Sequence, residues 1–280
     1  MKINQPLVSF IMSTYCENQL FLNKSIKSVF NQSYKNIELI LVDDGNSKLN
    51  IEDKYKKKIK LITNNKNEGL ALSLNKAIKL TNGDFIARID SDDINLSKRI
   101  NIQINTLLKH PDIDIVGSSV LLIDSNDNPI GLRMGPTFHD TFRYNIWKEV
   151  SIPHPTWLVR KKWYLKNGCY KNLKRGQDQY LLLKNFLFSN YYCITQPLVA
   201  YRKKRVSPYL KFRGRISIIL GLLNGKLYKY LALALIYHQL AFVWDLFDFY
   251  LKNKGEKNIH KVLSDKKKDE YQEMINQSII

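Results

Sequence analysis

The chain has 280 residues, of which 44% are hydrophobic and 25% charged, and this allows one large domain or one domain with a tail. Its three cysteines, Cys16, Cys169 and Cys193, are an odd number without the spacing of metal ligands. They argue against a disulfide framework or a zinc site and favour a reducing compartment. No secretory signal is expected, because the apolar run at residues 7–13 is too short.

The net charge of +19 is concentrated in the second half of the chain. Residues 1–150 hold 20 Lys and Arg against 17 Asp and Glu, whereas residues 151–280 hold 24 against 8. Nucleic acid, an anionic membrane and an anionic substrate are the partners that such a basic region attracts.

Short apolar runs alternate with helical patterns through the first 120 residues. The runs predict strands at residues 7–12, 37–42, 60–63, 85–89 and 113–120. Apolar residues at helical intervals predict helices at residues 20–30, 70–80 and 100–108, and a further apolar helix is predicted at 179–188. The alternation indicates βαβ units and a mostly parallel sheet, in which ligands bind at the carboxyl ends of the strands.

The fourth predicted strand runs into Asp90-Ser91-Asp92-Asp93. The three carboxylates repel one another, so a cation is expected to neutralise them, and such hard oxygen ligands suit Mg²⁺ or Mn²⁺ beside substrate phosphates. In an extended segment Asp90 and Asp92 face one side together, while Asp93 faces the other. The alternative is an acidic helix N-terminus, with Asp93 capping a helix that begins near Leu96.

Polar clusters also follow the first three predicted strands, at residues 13–17, 43–45 and 64–69. Because the ends of parallel strands meet at one edge of a sheet, these clusters and the acidic one should line a single crevice. An aromatic ring, carboxylates and a glycine-bearing turn together indicate a nucleotide site. The chain has neither a Gly-x-Gly-x-x-Gly motif nor a P-loop, which excludes those two nucleotide-binding types.

Five sequence elements follow one another at residues 8–34, 38–47, 67–77, 88–93 and 154–160. In this order and spacing they resemble the family 2 glycosyltransferases over about residues 6–205. The resemblance implies an α/β protein with the GT-A fold, a Rossmann-like nucleotide-binding mixed sheet flanked by helices, and a C-terminal helical extension. It implies a catalytic domain at 1–205, with a nucleotide-sugar half at about 1–120 and an acceptor half at about 121–205, and a basic amphipathic helical tail at 206–280.

The same resemblance implies transfer of a sugar from a nucleotide donor. Tyr15 would stack on the base and Asp44 would hold its edge. Asp43 and Asp44 are adjacent, and one of them is expected to brace the fold while the other reaches the ligand. Asp92 would be the main ligand of Mn²⁺ or Mg²⁺, and Asp90 would either support it or contact the ribose. Arg88 would hold the carboxylates in place. The expected donor-binding set is Thr14, Tyr15, Glu17, Asp44, Asn67, Gly69, Arg88, Asp90 and Ser91.

The resemblance assigns the catalytic base to Asp178, which would take the proton of the acceptor hydroxyl and give inversion at the anomeric carbon. The alternative for Asp178 is a helix N-cap beside Arg175. Gln177 stands where the family has Glu. A contact of this side chain with the acceptor would keep its hydrogen bond but lose the negative charge. His154, Trp157 and Gln177 are the candidate acceptor or phosphate contacts, with ordinary packing as the alternative for His154 and Trp157.

Residues 231–251 are nearly apolar and long enough for a transmembrane helix. His238, Asp245, Asp248 and Lys252 form a polar stripe, however, and aspartates are costly in a spanning helix. An amphipathic helix packed on the domain, on a second subunit or in the membrane interface fits better, and basic flanking residues favour an anionic leaflet. Residues 261–280 are expected to be mobile.

These features predict a cytoplasmic glycosyltransferase at the inner face of the cytoplasmic membrane. It would move a sugar, by the family's habit from a UDP-sugar, to a glycan or lipid-linked acceptor during assembly of a bacterial surface polysaccharide; homo-oligomerisation stays open. One alternative is a non-catalytic nucleotide-sugar-binding protein, if Gln177 marks lost activity. The other is a basic nucleic-acid-binding protein, but no nucleic acid is expected as a partner, because basic residues are not interleaved with aromatic ones.

Overall fold

The computed structural model describes residues 5–45, 49–250 and 262–280, except for the side chains of residues 248–250. Its strands are β1 (Val8–Thr14), β2 (Ile37–Asp43), β3 (Ile59–Thr63), β4 (Phe85–Arg88), β5 (Ile94–Asn95), β6 (Ile115–Ile123), β7 (Pro129–Arg133), β8 (Leu158–Arg160) and β9 (Tyr191–Arg202). Its helices are α1 (Gln19–Phe30), α2 (Asp53–Lys56), α3 (Leu70–Lys79), α4 (Arg99–Lys109), α5 (His139–Phe142), α6 (Lys161–Asn167), α7 (Gln177–Lys184), α8 (Pro208–Asn224), α9 (Leu231–Tyr250) and α10 (Asp265–Ile279).

The strands form one mixed sheet in the order β3-β2-β1-β4-β8-β6-β9-β5, with β7 paired to β6. The first four strands pair in parallel, so their carboxyl ends share one edge. Strand β8 pairs antiparallel with both β4 and β6, and joins the first half of the sheet to the second. The α/β fold class expected from the sequence, a mixed sheet flanked by helices, is therefore confirmed.

Two apolar cores cover the two faces of the sheet. Successive residues of β1 enter opposite cores, Phe10 on one face and Ile11 on the other, because side chains alternate along a strand. Helices α1 and α4 bury Leu22 and Ile104 against the first face, and α3 buries Leu74 against the second. Burial on both faces explains why these strands read as continuous apolar runs.

The predicted elements of the first 120 residues correspond to β1–β4, β6, α1, α3 and α4, with bounds that agree to within three residues. The predicted helix at 179–188 is α7, which ends at Lys184 and is followed by a 3-10 turn at Phe186–Phe188. Strands β5, β7 and β8 were not expected. They are two to five residues long. Strand β7 forms a hairpin with the preceding β6, whereas β5 and β8 are defined by pairing with strands that are distant in sequence.

Residues after β9 form helices that pack on the sheet domain. Helix α8 packs on α7 and α9 on α8. The expectation that residues 261–280 are mobile is wrong for α10, which buries Ile275 completely and receives a hydrogen bond from Asn31 Nδ2 at the carbonyl of Ser278 (3.3 Å). Asn46, Ser47, Lys252 and the side chain of Asp248, which entered the sequence patterns, lie outside the described residues.

One helical segment, Tyr228–Phe247, is long and apolar enough to cross a membrane, judged by length and composition alone, with a mean hydropathy of 1.4. Only 17% of this segment is buried within the protein.

Candidate functional site

The polar ends of the first strands meet at one edge of the sheet, as predicted. The backbone N–H of Asp44 donates to the carbonyl of Thr14 (2.8 Å), and that of Asn64 donates to the carbonyl of Asp43 (2.8 Å). After β4, the N–H of Ile89 donates to the carbonyl of Ile11 in β1 (3.3 Å). Main-chain hydrogen bonds therefore hold the four polar segments side by side.

Asp44 organises the loop after β3. Its Oδ1 accepts hydrogen bonds from Asn64 Nδ2 (2.8 Å) and the N–H of Glu68 (2.9 Å), and its Oδ2 accepts one from the N–H of Gly69 (2.9 Å). Gly69 has a φ of +92°, a conformation that favours glycine. The structure thus gives the bracing role, which the sequence left open between two aspartates, to Asp44. Asn67 lies exposed on the loop that Asp44 braces.

Tyr15 presents an aromatic ring at the mouth of this crevice. Its side chain is 56% exposed and lies against Gly45, where an added Cβ would come within 2.8 Å of the ring. A larger residue at position 45 would therefore displace the ring from its present place. Beside it, the hydroxyl of Thr14 is buried and has no hydrogen-bond partner among the described residues. The crevice combines an exposed ring with a buried hydroxyl that has no partner.

Residues 90–93, here called the acidic turn, bring three carboxylates together. Oxygen atoms of Asp90, Asp92 and Asp93 lie within 4.8 Å of one another. The expected extended conformation, with Asp93 facing away, is wrong: the N–H of Asp93 donates to the carbonyl of Asp90 (3.3 Å), which closes a turn. Asp93 also caps no helix, since α4 begins only at Arg99.

Strand β9 holds the acidic turn in place through Arg202. The N–H of Arg202 donates to Asp93 Oδ1 (2.8 Å), and its Nε donates to the carbonyl of Asp92 (3.0 Å). The guanidinium is buried and also pairs with Asp127. Sequence reasoning missed this residue, because it lies 110 positions from Asp92 and no local pattern connects them.

Lys204, just beyond β9, belongs to a basic run at residues 203–205, for which the sequence allows either a contact with diphosphate or an anionic acceptor, or a solvated edge. Its Nζ lies 2.8 Å from Asp92 Oδ2 and 2.8 Å from Glu17 Oε2. Burial and the charge of Asp90 raise the pKa of Asp92, and Lys204 opposes this rise. Ser91 is buried within the turn. Glu17 therefore belongs to the acidic site through Lys204.

Arg88 is buried beneath the acidic turn and pairs with Asp90, as expected. Its Nε and Nη1 have no hydrogen-bond partner among the described residues. Its charge also opposes the rise that burial causes in the pKa of Asp178 on α7. One guanidinium thus acts on the acidic turn and on the expected base.

Asp178 lies half-buried in the first turn of α7. Burial raises its pKa, while the N–H of Gln179 and the charges of Arg88 and Arg175 oppose the rise. The helix N-cap is Gly176, with a φ of +72°, so the N-cap alternative for Asp178 is wrong. The neighbouring Gln177 is buried at the start of the helix.

His154 and Trp157 occupy the interior. His154 Nε2 lies 2.7 Å from the hydroxyl of Tyr170, which lies 2.8 Å from that of Tyr164. Burial, followed by the charge of Arg88, holds the pKa of His154 well below its usual range, so this ring is neutral near pH 7. Trp157 is fully buried, and its Nε1 donates to the carbonyl of Ile152 (3.2 Å). Packing in the core therefore replaces the acceptor contact expected of Trp157.

The acidic turn has the donor set of a divalent-cation site. Its carboxylate oxygens converge, and Asp93 Oδ2 is buried without a hydrogen-bond partner among the described residues. Oxygen ligands of this kind suit Mg²⁺ or Mn²⁺. No other group of three acidic, histidine or cysteine side chains converges in this way within residues 5–45, 49–250 and 262–280.

The family model described as glycosyl transferase family 2 matches residues 9–168. An uncharacterized glycosyltransferase of Methanocaldococcus jannaschii is 35% identical over 186 residues, which are 63% of this chain and 63% of that protein. The UDP-Glc:alpha-D-GlcNAc-diphosphoundecaprenol beta-1,3-glucosyltransferase WfgD of Escherichia coli is 36% identical over 133 residues, which are 46% of this chain and 51% of that protein. The chain thus spans less than two thirds of the length of both relatives.

Among solved structures, S. aureus TarS 1-349 in complex with UDP-GlcNAc resembles the chain with a TM-score of 0.63 and 20% sequence identity. The match covers 98% of this chain and 82% of that one. This likeness confirms the expected fold. Asp178, by contrast, lies beyond the residues that the family model matches.

Proposed function

Because the chain belongs to glycosyl transferase family 2, we propose that it is an inverting glycosyltransferase that takes a sugar from a UDP-sugar. The observation that carries this proposal is the convergence of three carboxylates in the acidic turn, at the same strand-end edge as the exposed ring of Tyr15. Arg88 pairs with Asp90 in this turn. A ring and a carboxylate cluster at the carboxyl ends of parallel strands suit the base of a nucleotide donor and a cation on its diphosphate.

On the donor side, Tyr15 would stack on the base with its exposed ring. Thr14 has a free hydroxyl for a donor group, and Asp44 keeps the loop with Asn67 and Gly69 in place while retaining lone pairs for the base edge. Asp90 and Ser91 would contact the sugar nucleotide from the acidic turn.

Asp92 and Asp90 would hold Mn²⁺ or Mg²⁺. A bound divalent cation supplies neutralisation of the negative charge that builds on the leaving diphosphate. Arg88 and Lys204 already place positive charge beside these carboxylates, so the chain itself balances part of the charge of the site.

On the acceptor side, Asp178 would accept the proton of the attacking hydroxyl. The hydroxyl oxygen forms a bond to the anomeric carbon as the bond to the diphosphate oxygen breaks, and the diphosphate leaves with the electron pair. This direct displacement inverts the anomeric carbon. A base with a raised pKa holds the proton more strongly in the transition state than an ordinary aspartate does.

The acceptor is proposed to be a glycan or a lipid-linked sugar, in assembly of a bacterial surface polysaccharide. The name of the E. coli relative gives its acceptor as a diphosphoundecaprenol-linked sugar, which supports this choice. Gln177 would hydrogen-bond the acceptor, whereas His154 would support the site through Tyr170. A lipid-linked acceptor places the protein at the inner face of the cytoplasmic membrane, in peripheral contact through its basic tail and with assembly into a homo-oligomer left open.

The test is a transfer assay with the full chain, UDP-glucose, UDP-galactose or UDP-GlcNAc, Mn²⁺, and GlcNAc-diphosphoundecaprenol as acceptor. We expect one donor to give a product with the anomeric configuration opposite to that of the donor, as measured by NMR coupling constants. Asp178→Asn should bind UDP and give no product, while Asp140→Asn, which changes an exposed aspartate, should remain active. A product with retained configuration, or full activity of Asp178→Asn, would contradict the proposal.

A further inference from the structure

Two polar side chains of helix α9 face the protein. His238 and Asp245 are buried on one helical face. His238 Nε2 donates to the carbonyl of Trp147 (3.1 Å). Asp245 pairs with two cations of α8, Lys211 at 2.8 Å and Arg215. The polar stripe predicted from the sequence is therefore, in its described part, the face that packs on the protein.

The opposite face of α9 is apolar and exposed. The residues of this face follow helical spacing, and their side chains are between 47% and 68% exposed. The face is here called the apolar ridge and consists of Leu233, Ile236, Leu240, Val243, Trp244 and Phe247. Soluble monomers rarely expose a contiguous apolar patch of this kind unless it has a binding role. The ridge therefore needs an occupant.

Within residues 5–45, 49–250 and 262–280, no other element covers the ridge. Helix α10 packs elsewhere, against α1, β5 and β7. Residues 251–261 contain four lysines and one glutamate, with only one leucine and one isoleucine, so their composition does not match the large apolar face. The occupant is expected to come from outside the chain.

The charged residues at the two ends of the ridge indicate what kind of occupant it binds. Lys226 and Lys229 precede the ridge, and the lysines of residues 251–261 follow it, so both of its ends are basic. An apolar face with basic ends is typical of a helix that lies flat in the interface of an anionic membrane. A spanning orientation would take His238 and Asp245 away from their partners on the domain and on α8.

We propose that the apolar ridge is the surface through which this protein docks on an anionic lipid bilayer, with α9 lying in the plane of the membrane. The inference rests on the proposed function only where it takes the acceptor to be lipid-linked. Phosphatidylglycerol is a suitable probe, since it offers a negative headgroup beside acyl chains.

Helix α8 also contacts the loop that precedes α7, and the candidate base Asp178 lies in the first turn of α7. Ser217 of α8 donates from Oγ to the carbonyl of Arg175 (2.5 Å). A Cβ at Gly176 would lie 2.9 Å from the Cβ of Ser217, so the loop and α8 are in close contact. Docking through α9, which packs on α8, would therefore bring the acceptor side of the site, with Asp178, to the lipid surface.

The experiment compares full-length variants in co-sedimentation with vesicles of phosphatidylcholine, with and without phosphatidylglycerol. Leu240→Glu with Val243→Glu changes the ridge. The matched control, Leu108→Glu with Leu165→Glu, adds the same charge at two exposed leucines of α4 and α6. We expect the wild type and the control to bind the anionic vesicles, and the ridge variant to bind at least about tenfold more weakly.

Tryptophan fluorescence gives an independent signal, because Trp244 is 52% exposed whereas Trp157 and Trp163 are buried. Anionic vesicles should shift the emission of the wild type to the blue, and Trp244→Phe should remove most of this shift. Absence of vesicle binding by the wild type, or equal binding by ridge and control variants, would overturn the proposal. So would self-association in solution that the ridge variant abolishes while no form binds vesicles, since the occupant would then be a second copy.

Calorimetry of UDP binding without vesicles separates this inference from the proposed function. The ridge variant should bind UDP as the wild type does, which shows that it is folded. If the wild type binds UDP and not vesicles, the membrane inference alone fails. If it binds vesicles and not UDP, the proposed function fails and the docking surface stands.

Discussion

The acidic turn and α9 both bury ionisable side chains, but the groups that they leave exposed differ in polarity. At the acidic turn, Arg202 and Lys204 hold carboxylates that still converge on one another. In α9, the partners of His238 and Asp245 lie on the protein side, and the apolar face remains outside. Partly buried ion pairs therefore leave a polar site at the acidic turn, whereas in α9 they lie on the packed face and leave an apolar surface outside.

The largest effect is expected at Asp178. Asp178→Asn removes the proton acceptor, so the transfer rate should fall by about 10³-fold while UDP binding is unchanged. Burial raises the pKa of Asp178, and a base acts only when deprotonated, so the wild-type rate should fall as the pH drops through that raised pKa. Steady-state rates across pH, with UDP calorimetry beside them, measure both effects. If the rate of Asp178→Asn falls less than tenfold, Asp178 is not the catalytic base.

The next effect concerns the stability of the acidic turn. Arg202→Met deletes the buried guanidinium that holds the carbonyl of Asp92 and pairs with Asp127, so the free energy of unfolding should fall by about 3 kcal/mol. Urea unfolding measures it. The control Arg143→Met breaks an exposed pair with Asp140 and should change the free energy by less than about 1 kcal/mol. Equal losses in both variants would mean that Arg202 does not hold the turn.

A third, smaller effect tests the inward face of α9. Burial, and then the charge of Arg215, lower the pKa of His238 from 6.5 to about 4. A histidine with a depressed folded pKa contributes stability that is present above pH 6.5 and is lost as the pH falls toward 4. Between pH 7 and 5 this loss is about 2 kcal/mol.

His238→Gln keeps a donor for the carbonyl of Trp147 and cannot be protonated in this range. Its free energy of unfolding should therefore decrease less than that of the wild type between pH 7 and 5, as urea titrations at the two pH values would show. Parallel pH dependence of the two proteins would place His238 in solvent and undo the comparison on the α9 side.

The smallest effect is expected at Tyr15. Loss of its stacking ring in Tyr15→Ala should weaken UDP binding by about tenfold, because an aromatic stack on a base contributes about 1–3 kcal/mol. Tyr15→Phe keeps the ring and should bind normally. Tyr144→Ala, at an exposed tyrosine, is the control for calorimetry. If Tyr15→Ala binds UDP as tightly as this control, the base lies elsewhere.

Local sequence predicted the strand ends well, because a run of apolar residues and the polar residues that follow it are contiguous in the chain. The adjacency of Thr14, Asp44 and Asp90 follows from parallel strand order, which the alternation of elements already indicates. Arg202 and Lys204 were not predictable in the same way. Their contacts depend on where β9 lies in the sheet. The hydrogen bond from Arg202 to the carbonyl of Asp92, for example, joins residues 110 positions apart.

Periodicity in α9 showed that a polar stripe exists but not which way it faces. A stripe of His238 and Asp245 fits a solvent face as well as a packing face until Lys211, Arg215 and the carbonyl of Trp147 are seen beside it. Trp157 illustrates the same limit: an aromatic residue near a site motif reads alike whether it lines a pocket or fills the core.

The most direct test of the account is calorimetry of UDP binding with and without Mn²⁺, for the wild type and for Asp92→Ala. We predict that the wild type binds UDP much more tightly with Mn²⁺ and that Asp92→Ala loses this dependence, because Asp92 is one of the three converging carboxylates and the proposed main ligand. UDP binding that is equal with and without Mn²⁺ and unchanged in Asp92→Ala, or no binding by the wild type under either condition, would contradict the assignment of the acidic turn as the donor site.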